Sequence, residues 1–152
     1  MKSIQLVIFT LGNELFGADI QEVNEIIRMP QITKLPNMPS EVEGITNLRG
    51  KLCTVVNLKE KFKMAGGLSE EAQIVVVNDS MAGFIVDSVK GIVTVEEEKI
   101  QALDTIFLGT SITSLSNIAK VDDDIIAILN IKELTRSIQS QGSDIEELRY
   151  AN

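Results

Sequence analysis

Apolar residues in this chain come in short runs with turn residues between them. Ile4 to Leu11 is a β-favouring run, and Gly12-Asn13 supplies the turn into Leu15-Phe16-Gly17-Ala18. Ile45–Leu48 and Leu52–Val56 flank an Arg49-Gly50-Lys51 corner, where Gly50 can take the positive φ of a tight hairpin. Gln73–Val77 and Ala82–Val86 flank Asn78-Asp79-Ser80, and Ile118–Val121 and Ile125–Leu129 flank Asp122-Asp123-Asp124. Both pairs read as hairpins. Asp87 to Gly91 turns the chain into Ile92–Val95. Asp19 and Glu22 form a capping-box-like pair, and Ile20, Val23, Ile26 and Ile27 follow at helical spacing. Val23–Ile27 reads equally as a strand, because the run is short and β-branched. The only prolines, Pro30, Pro36 and Pro39, bracket Ile32–Leu35 and confine it to an edge strand or loop. Asn57 and Asn130 each cap a short helical turn.

Ile45 to Glu60 aligns without gaps on Ile118 to Glu133, and both copies end in Asn-(Leu or Ile)-Lys-Glu. Each is preceded by a hairpin leading to an acidic residue and a valine, Asp19 with Val23 and Asp87 with Val89. A repeat of about five short strands predicts a mainly β fold of two small barrels sharing one interface. The expected sub-barrels are Phe16–Glu71 and Gln73–Ile128, with terminal segments completing the packing of a single domain spanning 1–152. Residues 137–152 turn polar and read as a tail.

At 152 residues the chain has the length of one domain able to bury a core without metals or disulfides. The formal charge of −8 opposes nucleic acid and anionic membrane surfaces as partners. It suits a protein partner or a cationic surface. The absence of histidine removes His-dependent nucleophiles and His-ligated metals. One cysteine allows no internal disulfide, and no leader pattern precedes the first run, so a cytoplasmic protein is expected.

The Gly44–Lys51 stretch nearly spells a phosphate-binding loop. Five residues separate Gly44 from Gly50, and Leu52 follows Lys51 where a Ser or Thr is required, so nucleotide binding is rejected. Asp122–Asp124 and Glu96–Glu98 read as solvated turns, since adjacent carboxylates in a tight turn do not wrap one ion. No metal, cofactor or catalytic residue is expected. Cys53, in an apolar strand, reads as an inert packed thiol.

The order of several segments carries a family likeness. They are Phe9-Thr10-Leu11-Gly12, Phe16-Gly17-Ala18-Asp19-Ile20, Val23-Asn24-Glu25-Ile26-Ile27 and Ile32 to Pro39. Gly44-Ile45-Thr46-Asn47-Leu48-Arg49-Gly50 and Gly83-Phe84-Ile85-Val86-Asp87-Ser88-Val89 complete the set. Over about residues 4–136 the chain resembles the CheW-like chemotaxis coupling proteins. The resemblance implies two five-stranded SH3-like barrels packed on each other. It also implies a non-enzymatic scaffold joining the histidine kinase CheA, through its regulatory domain, to the cytoplasmic tips of methyl-accepting chemoreceptors. The chain departs from the pattern at Asn57, where an Asp is common, and at Asn117, where a Gly is common.

The resemblance assigns Val23, Glu25, Gly44, Asn47 and Arg49 to receptor binding, and Ile106 and Phe107 to a kinase contact. Arg49 offers a planar multi-donor head to a carboxylate. Plainer readings stand beside these: Val23 as core, Glu25 as a solvated charge, Gly44 as backbone geometry, Asn47 bonded to nearby backbone, and Ile106 with Phe107 packed under the second barrel. The alternatives are a CheV-type or CheA regulatory-domain-like adaptor module and, from another class, a β-barrel small-molecule sensor. The sensor needs a pocket with convergent polar groups, and no candidate pair stands out.

Overall fold

A computed structural model describes residues 2–102 and 115–136. Eleven strands occupy it: β1 (Ser3–Leu11), β2 (Glu14–Asp19), β3 (Val23–Arg28), β4 (Val42–Leu48), β5 (Lys51–Asn57), β6 (Gln73–Val77), β7 (Ala82–Val86), β8 (Ser88–Glu96), β9 (Ile100–Ala102), β10 (Leu115–Val121) and β11 (Asp124–Leu129). Helix α1 (Leu58–Lys61) follows β5, and α2 (residues 131–136) follows β11. The strands form a six-stranded sheet in the order β8-β1-β2-β11-β10-β9 and a five-stranded sheet in the order β3-β6-β7-β5-β4.

The two-residue period of a strand sends alternate side chains to opposite faces, and here both faces are covered. Leu6 and Ile8 of β1, with Ile126 and Ile128 of β11, cover one face of the six-stranded sheet. Ile74 and Val76 of β6, with Val55 and Ile85, cover one face of the five-stranded sheet. The intervening residues, Phe9 and Leu11 of β1, Val75 and Val77 of β6, and Phe84 and Val86 of β7, meet in a third core between the sheets. Leu129, Ile131 and Leu134 close it from the α2 side. Runs such as Ile74-Val75-Val76-Val77 are continuously apolar because each serves two cores.

The internal repeat is visible residue by residue. The β4–β5 and β10–β11 hairpins each close on a two-residue loop, with Leu48 opposite Lys51 and Val121 opposite Asp124. β5 runs parallel to β7, and β11 runs parallel to β2. Thr33 bridges Ile45, as Gln101 pairs with Ile118, the residue aligned with Ile45. Asn57 accepts from the Glu60 amide at 3.3 Å and Asn130 from the Glu133 amide at 3.2 Å, so both capped turns form.

The structure adds detail to these expectations. The sheets carry six and five strands and do not close into two five-stranded barrels, although the mainly β, SH3-like reading stands. The difference lies at the edges. β9 makes a short ladder, whereas the proline-bracketed segment Ile32–Leu35 reaches only the single Thr33–Ile45 bridge. The sheets also divide the chain elsewhere than Glu71/Gln73. β6 and β7 belong with β3–β5, while β1 and β2 complete the sheet built from β8–β11. The second unit is thus closed by the N-terminal hairpin, which fills the place that β6–β7 fills in the first. Val23–Ile27 is strand, preceded by a 3-10 turn at Ile20–Glu22 whose Gln21 amide donates to Asp19. β8 runs straight through Gly91, which takes φ +133, with a register shift against β1 in place of a turn.

Candidate protein-interaction site

Arg49 and Gly50 form the two-residue loop between β4 and β5, with φ +51 and +87. Two successive positive φ angles give the loop the twist that a tight hairpin requires. Asn47 stabilises the corner: its Oδ1 accepts from the Gly50 amide at 2.8 Å. The Asn47 carboxamide oxygen is thus engaged by its own turn. Arg49 projects from the tip with its side chain 72% exposed, and its Nη2 donates to Glu25 Oε1 at 2.5 Å.

Glu25 arrives from β3. A register shift between Val23 and Glu25 against β6 leaves Asn24 as an extra residue, and Glu25 lies opposite Val76, on the face of the five-stranded sheet that carries Ile74 and Val55. Leu48, Lys51 and Cys53 face the same side, since Leu48 pairs with Lys51 and Cys53 lies against Gly83 and Ile74. The ion pair thus joins the edge strand β3 to the β4–β5 hairpin tip at the other edge of the sheet. An exposed pair of this kind contributes about 0.2–1 kcal/mol.

The remaining predicted residues divide. Val23 packs against the core between the sheets. Gly44 is buried at φ +149, and a Cβ there would lie 2.2 Å from the Thr33 carbonyl oxygen, so its role in the fold is close backbone approach. Ile106 and Phe107 lie outside the described residues, as does the 137–152 tail. Asp122–Asp124 are all exposed, and among the described residues no cluster of three or more metal-ligating side chains forms. Among the same residues no helix is long and apolar enough to cross a membrane.

Cys53 lies beneath the ion pair at 0% exposure. Burial, and secondarily the charge of Glu25, pushes its thiol up to about 11 from 9.0. The thiolate is the reactive form. At pH 8 the native protein should therefore react with an aromatic disulfide reagent at least about 100-fold more slowly than the unfolded chain. Comparable rates would show an accessible thiol.

Two features lay beyond the sequence reading. Lys59, on α1, is 8% exposed and its Nζ donates to Asp87 at 3.1 Å, while the other function of Asp87 is to accept from the Gly12 amide at 2.7 Å. Asp87 lies between β7 and β8, where the chain crosses from one sheet to the other, so this cluster ties the sheets together. The second is the reason for Asn57. Its Oδ1 caps α1 while its Nδ2 donates to Glu43 at 3.2 Å, a bond an aspartate could not make.

A family model described as a CheW-like domain matches residues 5–139. The chemotaxis protein CheW of Treponema pallidum is 29% identical over 147 residues, covering 92% of this chain and 86% of that protein. CheW of Klebsiella aerogenes is 29% identical over 136 residues, covering 88% and 82%. Among solved structures, the scaffolding protein TtCheW from Thermoanaerobacter tengcongensis is similar with a TM-score of 0.77. It is 36% identical, and the match covers 86% of each chain.

Proposed function

Because this chain belongs to the CheW-like family, we propose that it is a cytoplasmic scaffold of chemotaxis signalling that joins a CheA-like histidine kinase to chemoreceptor tips. The family match over residues 5–139 supports the scaffolding role, and the relatives it resembles carry the same name along most of their length. In this reading the chain catalyses nothing itself and is recruited to membrane-associated receptor arrays.

The observation that carries the receptor assignment is the placement of Arg49. A backbone-defined hairpin holds it at an exposed tip, and among the described residues its guanidinium pairs with the partly buried Glu25 carboxylate, a contact that contributes little to stability. The guanidinium keeps further donors for a carboxylate or for the carbonyls at a helix end. Glu25 orients it until a receptor helix arrives and then shares or releases it. Val23 and Asn47 support the same face, Val23 from the core and Asn47 by holding the turn. Gly44 keeps the β4 backbone against Thr33. The kinase contact falls to Ile106 and Phe107, an apolar pair suited to a protein interface.

Purified protein should bind both a receptor-tip fragment and the kinase's regulatory domain, as measured by titration calorimetry. Arg49→Glu should weaken the receptor fragment by about tenfold or more, about 1.4 kcal/mol, and leave the kinase domain unchanged. Equal loss for both partners, or none for either, would remove Arg49 from the receptor site. Wild-type protein that binds neither partner would overturn the scaffold reading.

A further inference from the structure

The loop between β6 and β7 contains three successive residues in the left-handed region, Asn78 (φ +55), Asp79 (φ +53) and Ser80 (φ +66). Asn and Asp tolerate this region better than most residues, but a run of three without glycine is disfavoured. Such a conformation persists only where its surroundings hold it. Here three contacts do. The Ser80 amide donates to Asn24 Oδ1 at 3.0 Å, the Met81 amide donates to the Asn78 carbonyl at 3.0 Å, and Lys51 Nζ reaches the Asp79 carbonyl at 3.4 Å.

The anchoring residues are the neighbours of the Arg49–Glu25 pair. Asn24 precedes Glu25 at the β3 bulge, and Lys51 begins the strand that leaves the Arg49-Gly50 loop. The turn therefore stands beside the ion pair at the same end of the five-stranded sheet. What it presents there is Met81. The Met81 backbone is held on both sides, since its carbonyl accepts from the Thr54 amide at 3.0 Å, yet the residue is 48% exposed. A single exposed apolar residue is ordinary on a protein surface. One whose backbone is fixed by a disfavoured turn, beside an exposed arginine, is placed for contact.

We propose that Met81 is a second anchor for the partner helix engaged by Arg49: an unbranched, polarizable side chain that takes up the apolar stripe of an amphipathic helix while Arg49 takes its acidic flank. This rests on the receptor assignment above and extends it. Methionine suits the task because its thioether chain adapts to helices of differing side-chain shape, so Met81 grades how well different receptor tips fit. Asn24 is a positioning residue, acting through the Ser80 amide that orients the turn.

The test compares wild type, Met81→Ser, Met81→Leu and Asn24→Ala by titration calorimetry against a receptor-tip fragment and the kinase regulatory domain, with thermal unfolding alongside. Met81→Ser should weaken the receptor fragment by about tenfold, with kinase binding and the unfolding midpoint unchanged, and Met81→Leu should restore most of the affinity. Asn24→Ala should weaken the receptor in the same direction and speed hydrogen exchange at the Ser80 amide. Unchanged receptor affinity in Met81→Ser, or equal loss toward both partners, overturns the anchor. Wild-type protein that fails to bind the receptor fragment overturns the receptor assignment instead, a separate result.

Discussion

Asp87→Ala should destabilise the protein by about 3–5 kcal/mol, the range for stripping a buried ion pair of one partner. The reason is the isolation of Lys59. Its side chain is 10% exposed and that of Asp87 15%, and the ammonium sits 3.1 Å from the carboxylate. Without the carboxylate the charge stays in a largely dehydrated site with nothing to answer it, and the Gly12 amide loses its 2.7 Å acceptor. The two losses differ in size. Gly12 lies in an exposed turn where water can replace Asp87, so most of the cost falls on Lys59. Urea unfolding measures the change directly. The double variant Lys59→Met with Asp87→Ala separates the causes, because a well-packed apolar pair is often no worse than a buried salt bridge. It should recover more than half of the lost stability. A single variant costing under about 1 kcal/mol, the scale of an exposed pair, would mean that water reaches Lys59. The consequence for a scaffold is geometric. Asp87 ties α1, which follows the five-stranded sheet, to the β1–β2 turn of the other. Loosening it should let the two sheets shift against each other.

The contacts that matter most here were the least legible in the sequence, for a physical reason. Local patterns declare local structure. The Arg49-Gly50-Lys51 corner, the caps at Asn57 and Asn130, and the aligned hairpins all involve residues within a few positions of one another, and each forms as read. Pairings across the chain leave no such trace. Nothing in the apolar run Ile4–Leu11 says that its hairpin closes the second sheet, since any apolar strand satisfies the pattern and only the packing of both faces selects the neighbour. Arg49 and Glu25 were both singled out, yet their meeting depends on the β3 bulge at Asn24, which alternation alone does not reveal. No local pattern marks Lys59 as a buried charge. It is buried because the one carboxylate at the sheet crossover stands in front of it. Gly91 read as a turn because glycine often makes one, but it serves equally as a bulge inside a long strand.

Gly44→Ala should cost about 3 kcal/mol or more, and its effect should be local where that of Asp87→Ala is not. A Cβ at this position would stand 2.2 Å from the Thr33 carbonyl oxygen and 2.8 Å from Ile32 Cγ2. Backbone offers no flexible end to swing aside, so the segment carrying Ile32 and Thr33 must move away from β4. Two hydrogen bonds go with it, Thr33 amide to Ile45 carbonyl at 2.8 Å and Ile45 amide to Thr33 carbonyl at 2.9 Å, each about 0.5–1.5 kcal/mol. The φ of +149 adds a penalty of about 1–3 kcal/mol for a residue with a side chain. Ile32 also leaves the core it shares with Val55 and Ile74. Hydrogen exchange should accelerate at the Thr33 and Ile45 amides first, while the β1–β2 hairpin keeps its protection. The same variant separates two accounts of the receptor-binding role proposed for Gly44. Gly44 is buried, so a partner cannot touch it. Receptor affinity should then fall only as far as the displaced strand moves Arg49, five residues on in the loop, and kinase-domain binding should persist. If affinity collapses while exchange at Thr33 and Ile45 stays slow, the glycine acts on the partner itself. The close-approach account would then be wrong.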